Sequence, residues 1–271
     1  SSVVHSSLLE HRAKLGSLDL GALQHNCTMS SDVDEQVSRL AHSLALESDP
    51  TRAPRQKAYL KSPLIHWGVG VPATRRLLRT WVRGQGDLSR ERLWELEHPL
   101  WTSPVYEMRS CAVELLAYRT GLLEPADLPR LRQMIEDSFT WALVDPLAID
   151  VVGSVVAQME SADVDSVLDQ WAADDCFWVR RASMLSQLRP LRDPSTDASR
   201  FLRYADAMLA EREFFIRKAI GWVLRDMSRK RPVEVYEWLY PRANRASGVT
   251  VREAVKYLSP SQRAQIQSAR G

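Results

Sequence analysis

One four-residue pattern returns along the chain at near-constant spacing: an aliphatic residue, an arginine, a further residue and a small one. Val179-Arg180-Arg181-Ala182 is followed by Ile216-Arg217-Lys218-Ala219 and by Val251-Arg252-Glu253-Ala254, at offsets of 37 and 35 residues. A weaker copy, Met108-Arg109-Ser110-Cys111, stands 71 residues before the first, which is two periods. A unit of this length holds two helices and a turn but cannot bury its own apolar side, so it must stack on its neighbours. That requirement defines an α-solenoid. The period is slightly short for HEAT repeats, and the expected fold is therefore all-α and HEAT-like.

The intervening sequence agrees. Apolar residues recur at helical spacing in Leu93, Leu96, Leu100, then Val164, Val167, Leu168, Trp171, then Val235, Tyr236, Leu239. Pro and Asp punctuate these segments, as at Ser103-Pro104, Asp193-Pro194 and Ser259-Pro260. Ser30-Ser31-Asp32-Val33-Asp34-Glu35 reads as a capped helix start. Residues 1–31, with Leu8, Leu9, Leu15 and Leu18, are expected to form a short helical extension ahead of a repeat domain over 32–271.

One copy of the pattern is missing near residues 143–144, where Leu143-Val144-Asp145-Pro146 stands instead. A carboxylate occupies the slot where sister units carry cations. Stacked units put equivalent helices side by side, so Arg109, Asp145, Arg180, Arg181, Arg217, Lys218 and Arg252 are expected on one concave face. Trp141 lies four residues before Asp145, one turn away on a helix. Pro146 is best tolerated in a first helical turn, which favours Asp145 as a helix cap. The local sequence leaves both roles open, cap and functional acid.

A second constellation lies in Glu213-Phe214-Phe215-Ile216-Arg217-Lys218-Ala219-Ile220-Gly221-Trp222-Val223-Leu224-Arg225. Lys218, Trp222 and Arg225 share one helix face, with Phe215, Ile216, Ala219, Ile220 and Val223 expected on the buried side. Gly221 costs such a helix about 1 kcal/mol relative to Ala, and marks a close approach by something else. An indole between two cations suits a sugar–phosphate backbone.

Charge points to the same class of partner. The formal net charge of +2 divides unevenly. Residues 1–173 hold 17 Lys+Arg against 23 Asp+Glu, and residues 174–271 hold 19 against 11. A basic half on a near-neutral chain is a footprint for a polyanion, against the plainer reading of a solvated arginine-rich surface. No apolar run is long enough to span a bilayer, and Ser1–Leu20 has no secretory-signal pattern. Cys27, Cys111 and Cys176 are an odd set without metal-type spacing, as expected of a reducing compartment. All six His lie in the first hundred residues. A cytoplasmic, nucleoid-associated protein without metal or cofactor is expected.

A lone Asp among Trp residues on such a surface suits one chemistry. Cleavage of an N-glycosidic bond develops positive charge on the sugar, which a fixed carboxylate stabilises. Indole faces attract cationic groups such as an alkylated purine.

These residues carry a resemblance. Glu213-Phe214-Phe215-Ile216 with Ile220-Gly221-Trp222-Val223-Leu224-Arg225 resembles the AlkD-like DNA glycosylases, the HEAT-like enzymes that excise alkylpurines. Similar stretches follow in the same order over roughly residues 35–260. They include Trp67-Gly68-Val69, Arg75-Arg76-Leu77-Leu78, Trp141 with Asp145, Asp174–Ala182, and Arg252-Glu253-Ala254-Val255-Lys256. The resemblance implies an α-solenoid that holds damaged duplex DNA in a basic cleft and hydrolyses N3- or N7-alkylated purine nucleotides. It implies Asp145 as the catalytic acid, Trp141 and Trp222 as sugar contacts, and Arg181 and Arg225 as phosphate contacts. Lys218, Arg180, Arg217 and Arg252 join them as expected DNA-binding residues. It also implies a monomer that leaves the base in the stack and so tolerates bulky adducts. One branch of such enzymes protects producers of DNA-alkylating antibiotics, and no residue selects that branch. Two departures stand beside it: Thr140 where some relatives carry an aromatic, and Pro146 directly after the acid. The competing readings are a DNA-binding solenoid without chemistry and a protein-binding scaffold.

Overall fold

The computed structural model describes residues 27–159 and 161–271. The extension expected over residues 1–31 lies outside the described residues, except that the first helix already begins at Cys27 and not at Ser30–Asp32. The helices are α1 (Cys27–Leu46), α2 (Ala53–Leu60), α3 (Val71–Arg83), α4 (Arg90–Trp101), α5 (Tyr106–Tyr118), α6 (Leu128–Glu136), α7 (Trp141–Pro146), α8 (Gly153–Val156), α9 (Ser161–Ala172), α10 (Phe177–Leu185), α11 (Ser199–Ala207), α12 (Phe214–Ser228), α13 (Pro232–Leu239), α14 (Gly248–Ala254) and α15 (Pro260–Ser268). Among the described residues, β structure is limited to one isolated parallel bridge, Ile65 with Val105.

The repeat pattern sits on α5, α7, α10, α12 and α14, and each of these packs on the next. A second set of helices, including α4, α9 and α13, packs against them. This is an α-solenoid of HEAT-like units. The first and fourth positions of the pattern make it: Met108 and Cys111, Val179 and Ala182, Ile216 and Ala219, and Val251 and Ala254 are all buried. Each fully buried aliphatic side chain contributes about 1.5–3 kcal/mol, and the small fourth residue lets adjacent helices approach.

The second position does different work from that expected. Arg109 Nε donates to the Ser103 carbonyl at 2.9 Å, Arg180 Nη1 to the Asp174 carbonyl at 2.6 Å, and Arg217 Nε to the Glu211 carbonyl at 2.6 Å. Each acceptor lies six residues upstream. The repeated arginine therefore staples the loop that enters its own helix. Arg109 also reaches the Asp137 carbonyl at 2.8 Å, and Arg180 pairs with Glu211, so these two staples extend to the next unit. A helix turns about 100° per residue, so the second and third positions face different surroundings.

The third position forms a row: Ser110, Asp145, Arg181, Lys218 and Glu253. Here the expected run of cations around one acid becomes two ion pairs of opposite polarity, Asp145 with Arg181 and Glu253 with Lys218.

The Trp67-Gly68-Val69 loop is also held from this stack. The buried Glu107 carboxylate accepts from the backbone N–H groups of all three residues, at 3.0, 2.9 and 3.2 Å. Gly68 has φ +78°, and a Cβ there would lie 2.2 Å from the Asp49 carbonyl oxygen.

Candidate active site

Helix α7 is short, and its start is set by Thr140. The Thr140 hydroxyl oxygen accepts from Ala142 N–H at 3.4 Å, and the hydroxyl donates to the Leu60 carbonyl at 2.8 Å. Thr140, not Asp145, is the cap, and Asp145 lies inside the helix that begins at Trp141. The i, i+4 relation of Trp141 and Asp145 therefore holds. Pro146 closes α7 and is followed directly by the π-helical turn Leu147–Val152. Such single π turns are frequent at functional sites.

Asp145 is buried, with 7% of its surface exposed. Both its oxygens are engaged by one guanidinium: Arg181 Nε to Oδ1 at 2.7 Å and Arg181 Nη2 to Oδ2 at 2.9 Å. The remaining Arg181 nitrogen, Nη1, donates to the Phe215 carbonyl, and the guanidinium lies 5.8 Å from the Phe215 ring centre. Arg181 is itself buried, so three neighbouring units fix its orientation.

The Thr140–Leu60 hydrogen bond brings a distant segment to this wall. Tyr59 meets Trp141 edge to face, with ring centres 5.7 Å apart and planes at 85°. Lys61 follows in the left-handed region, φ 50°, and its N–H closes the end of α2 on the Ala58 and Lys57 carbonyls. The result is a cavity of about 480 Å³ lined by Tyr59, Lys61, Trp141, Asp145, Arg181, Phe214, Phe215, Lys218, Trp222 and Arg225. A larger cavity, about 700 Å³, lies between α4 and α6 and includes none of these residues.

Of the expected site residues, Asp145, Trp141, Trp222, Arg181, Lys218 and Arg225 thus share one cavity wall. Arg180 and Arg217 are drawn into the loop staples, and Arg252 is exposed on α14 away from this lining. Phe215, expected on the buried side of α12, instead faces the cavity. Tyr59 and Lys61 gave no signal in the sequence. They reach the site through contacts between segments some 80 positions apart, the Thr140–Leu60 hydrogen bond and the Tyr59–Trp141 ring contact.

Gly221 marks a close approach, but by protein. A Cβ there would lie 2.8 Å from Glu253 Cβ and 2.9 Å from the Thr250 carbonyl oxygen. Helix α14 is thereby seated against α12, and Glu253 reaches Lys218 Nζ at 3.2 Å, Lys256 Nζ at 2.9 Å and Arg225 Nη1. Partial burial pushes the Glu253 carboxyl up, but hydrogen bonds from Lys256 and Lys218 and the Lys218 and Arg225 charges outweigh it. The group is held at about 2, and so stays ionised. Among the described residues, no three His, Cys, Asp or Glu side chains gather as a metal site, and no helix is long and apolar enough to cross a membrane.

Residues 40–258 match the family described as DNA alkylation repair enzyme. Among solved structures, the chain is similar to a predicted DNA alkylation repair enzyme from Enterococcus faecalis, at 22% identity and a TM-score of 0.71. That match covers 79% of this chain and 98% of the other. It is also similar to AlkD2 from Streptococcus mutans, at 18% identity and a TM-score of 0.61, covering 84% and 99%. A third, smu.31 from Streptococcus mutans UA159, has 19% identity, a TM-score of 0.54 and coverage of 69% and 98%. No curated protein matches the chain. The chain belongs to the DNA alkylation repair enzyme family.

Proposed function

We propose that this member of the DNA alkylation repair enzyme family is a DNA glycosylase that hydrolyses the N-glycosidic bond of cationic N3- or N7-alkylated purines in duplex DNA. The observation that carries this reading is that Asp145, Trp141 and Trp222 line one cavity together with Arg181, Lys218 and Arg225.

The chemistry follows from the charges. The bond from C1′ to the base nitrogen breaks, its electron pair leaves with the alkylated base, and the base becomes neutral. Positive charge moves to the sugar, where an oriented carboxylate stabilises it without reorganisation. Arg181 occupies one lone pair on each Asp145 oxygen, and a carboxylate has about four acceptor positions. The free lone pairs remain for the sugar and for a water. That water adds at C1′ and loses its proton through the carboxylate to solvent, leaving an abasic site. The indoles pack on the sugar and attract the cationic lesion, while Lys218 and Arg225 meet phosphates.

The lining also supports a reading in which the base stays in the stack. The cavity is open on its aromatic side, where Tyr59, Trp141, Phe214 and Trp222 line it, and a lesion held at its sugar and phosphates leaves the base free to stay stacked. Tyr59 and Phe214, 73% and 52% exposed, offer apolar surface at the cavity for bulky substituents. The protein would act as a monomer, without cofactor, in the cytoplasm where the DNA is. A second reading, DNA binding without chemistry, draws on the bidentate Arg181, which partly neutralises Asp145. The test is incubation with randomly methylated duplex DNA and identification of the released bases. Release of N7-methylguanine or N3-methyladenine supports the glycosylase, and binding without release favours the second reading.

A further inference from the structure

Lys218 and Arg225 are the two cations of α12 that line the cavity, and they lie seven residues apart. At 1.5 Å rise per residue their backbones are about 10 Å apart along the helix. Both side chains are long and flexible, and a free lysine or arginine loses up to about 2 kcal/mol of rotamer entropy when ordered. Yet both heads converge on one carboxylate from the next unit, Glu253, which also holds Lys256. Glu253 reaches that point because Gly221, between the two cations, has no side chain to keep α14 away.

A carboxylate here is costly for a surface that binds a polyanion. It removes a positive charge from the wall and leaves three cations sharing one anion. It does not line the cavity, so it is not placed to act on the substrate. From this geometry we infer that Glu253 is a positioning residue for base excision: it fixes Lys218 and Arg225 in the directions that meet the phosphates flanking the lesion. Affinity for DNA in general is given up for a fixed geometry at one nucleotide. This rests on the glycosylase reading above, but its binding consequence does not. Lysine and arginine carry three and five donors, so each head keeps donors for phosphate while held by Glu253.

The test compares the parent with Glu253→Gln, Lys218→Ala and the double variant, each checked by circular dichroism for the parent's helical content at the assay temperature. Two measurements are made: affinity for an undamaged duplex, and single-turnover release of N7-methylguanine at saturating enzyme. With Glu253→Gln, undamaged duplex should bind about threefold or more tighter, since a negative charge is lost from a phosphate-binding surface. Base release should slow about tenfold or more, because misplacement of reacting groups costs rate rather than affinity. In the Lys218→Ala background the effect of Glu253→Gln on release should shrink by at least about half, as coupled residues are non-additive. Fully additive effects, or release and undamaged-duplex affinity both within twofold of the parent, would overturn the inference. Glu253→Asp, which keeps the charge, should recover part of the lost rate, and no recovery would place the effect in packing and overturn it. If the parent releases no base, the glycosylase reading fails. The duplex-binding arm then decides alone, and unchanged or weaker binding overturns the inference.

Discussion

Arg181 grips Asp145 with two parallel hydrogen bonds, Nε to Oδ1 at 2.7 Å and Nη2 to Oδ2 at 2.9 Å, across a unit boundary of the solenoid. The pair links α10 to α7 and, through the Phe215 carbonyl, to α12. Removing one partner of a buried pair strands the other charge and costs about 3–5 kcal/mol, at the lower end where one partner borders a cavity. Arg181→Ala should therefore destabilise the protein by about 3 kcal/mol in urea unfolding. Adding Asp145→Asn to it should restore part of that loss, because the neutral amide strands no charge. A single Arg181→Ala variant as stable as the parent would contradict this account of the pair.

Gly221→Ala should destabilise despite a helix-propensity gain of about 1 kcal/mol. The new Cβ would lie 2.8 Å from Glu253 Cβ and 2.9 Å from the Thr250 carbonyl oxygen. Overpacking of this kind costs about 1–3 kcal/mol. The added methyl pushes α14 off α12 and moves Glu253 from its cations, so base release should fall along with the melting temperature.

Most of this architecture was legible in the repeat. The first and fourth residues of each copy must be apolar and small for helices to stack, and Val179, Ala182, Ile216 and Ala219 are buried accordingly. The row through Asp145, Arg181 and Lys218 was legible for the same reason, since a shared phase puts residues on a shared face. The staples were not. Arg180 is next to Arg181 in sequence, but one residue is about 100° on a helix, and it turns to the Asp174 carbonyl. Nor did Pro146 reveal that Asp145 lies inside its helix. That depends on Thr140 taking the cap, which the tertiary hydrogen bond to Leu60 supports and the local sequence does not show. Tyr59 and Lys61 were out of reach because contacts between segments some 80 residues apart bring them to the site, the Thr140–Leu60 hydrogen bond and the Tyr59–Trp141 ring pair.

Thr140→Val tests that contact. The variant keeps the shape but loses the cap and the bond to Leu60, each worth about 1 kcal/mol. A loss of about 1–2 kcal/mol is expected, together with weaker packing of Tyr59 on Trp141. The Trp fluorescence spectrum should shift accordingly, and an unchanged spectrum with unchanged stability would contradict the role.

Glu97 supplies a pH test remote from the cavity. Burial pushes its carboxyl up to about 7, against the Arg130 guanidinium at 2.6 Å that pulls it down. The other oxygen, Oε1, is buried without a partner. The folded state thus holds this proton more tightly than the unfolded chain. The contribution of Glu97 to stability is greatest below pH about 4.5 and falls as pH rises through the window to about 7, by about 2–3 kcal/mol. Glu97→Gln should flatten the stability profile across that window, as followed by urea unfolding between pH 5 and 8. A profile with the parent's slope would show that Glu97 does not titrate there. Glu253, held down at about 2, has the opposite sign: its contribution is present above pH about 4.5 and is lost on acidification toward 2.

The central claim is that the Asp145 carboxylate stabilises a positively charged sugar. Asp145→Asn keeps the size and one acceptor for Arg181 but removes the charge. The most direct measurement is single-turnover release of N7-methylguanine from a duplex by parent and variant, with duplex affinity measured alongside. The variant is predicted to bind within about threefold of the parent and to release base at least about 100-fold more slowly, the scale of losing one electrostatic stabiliser. Release at the parent's rate by Asp145→Asn would contradict the account.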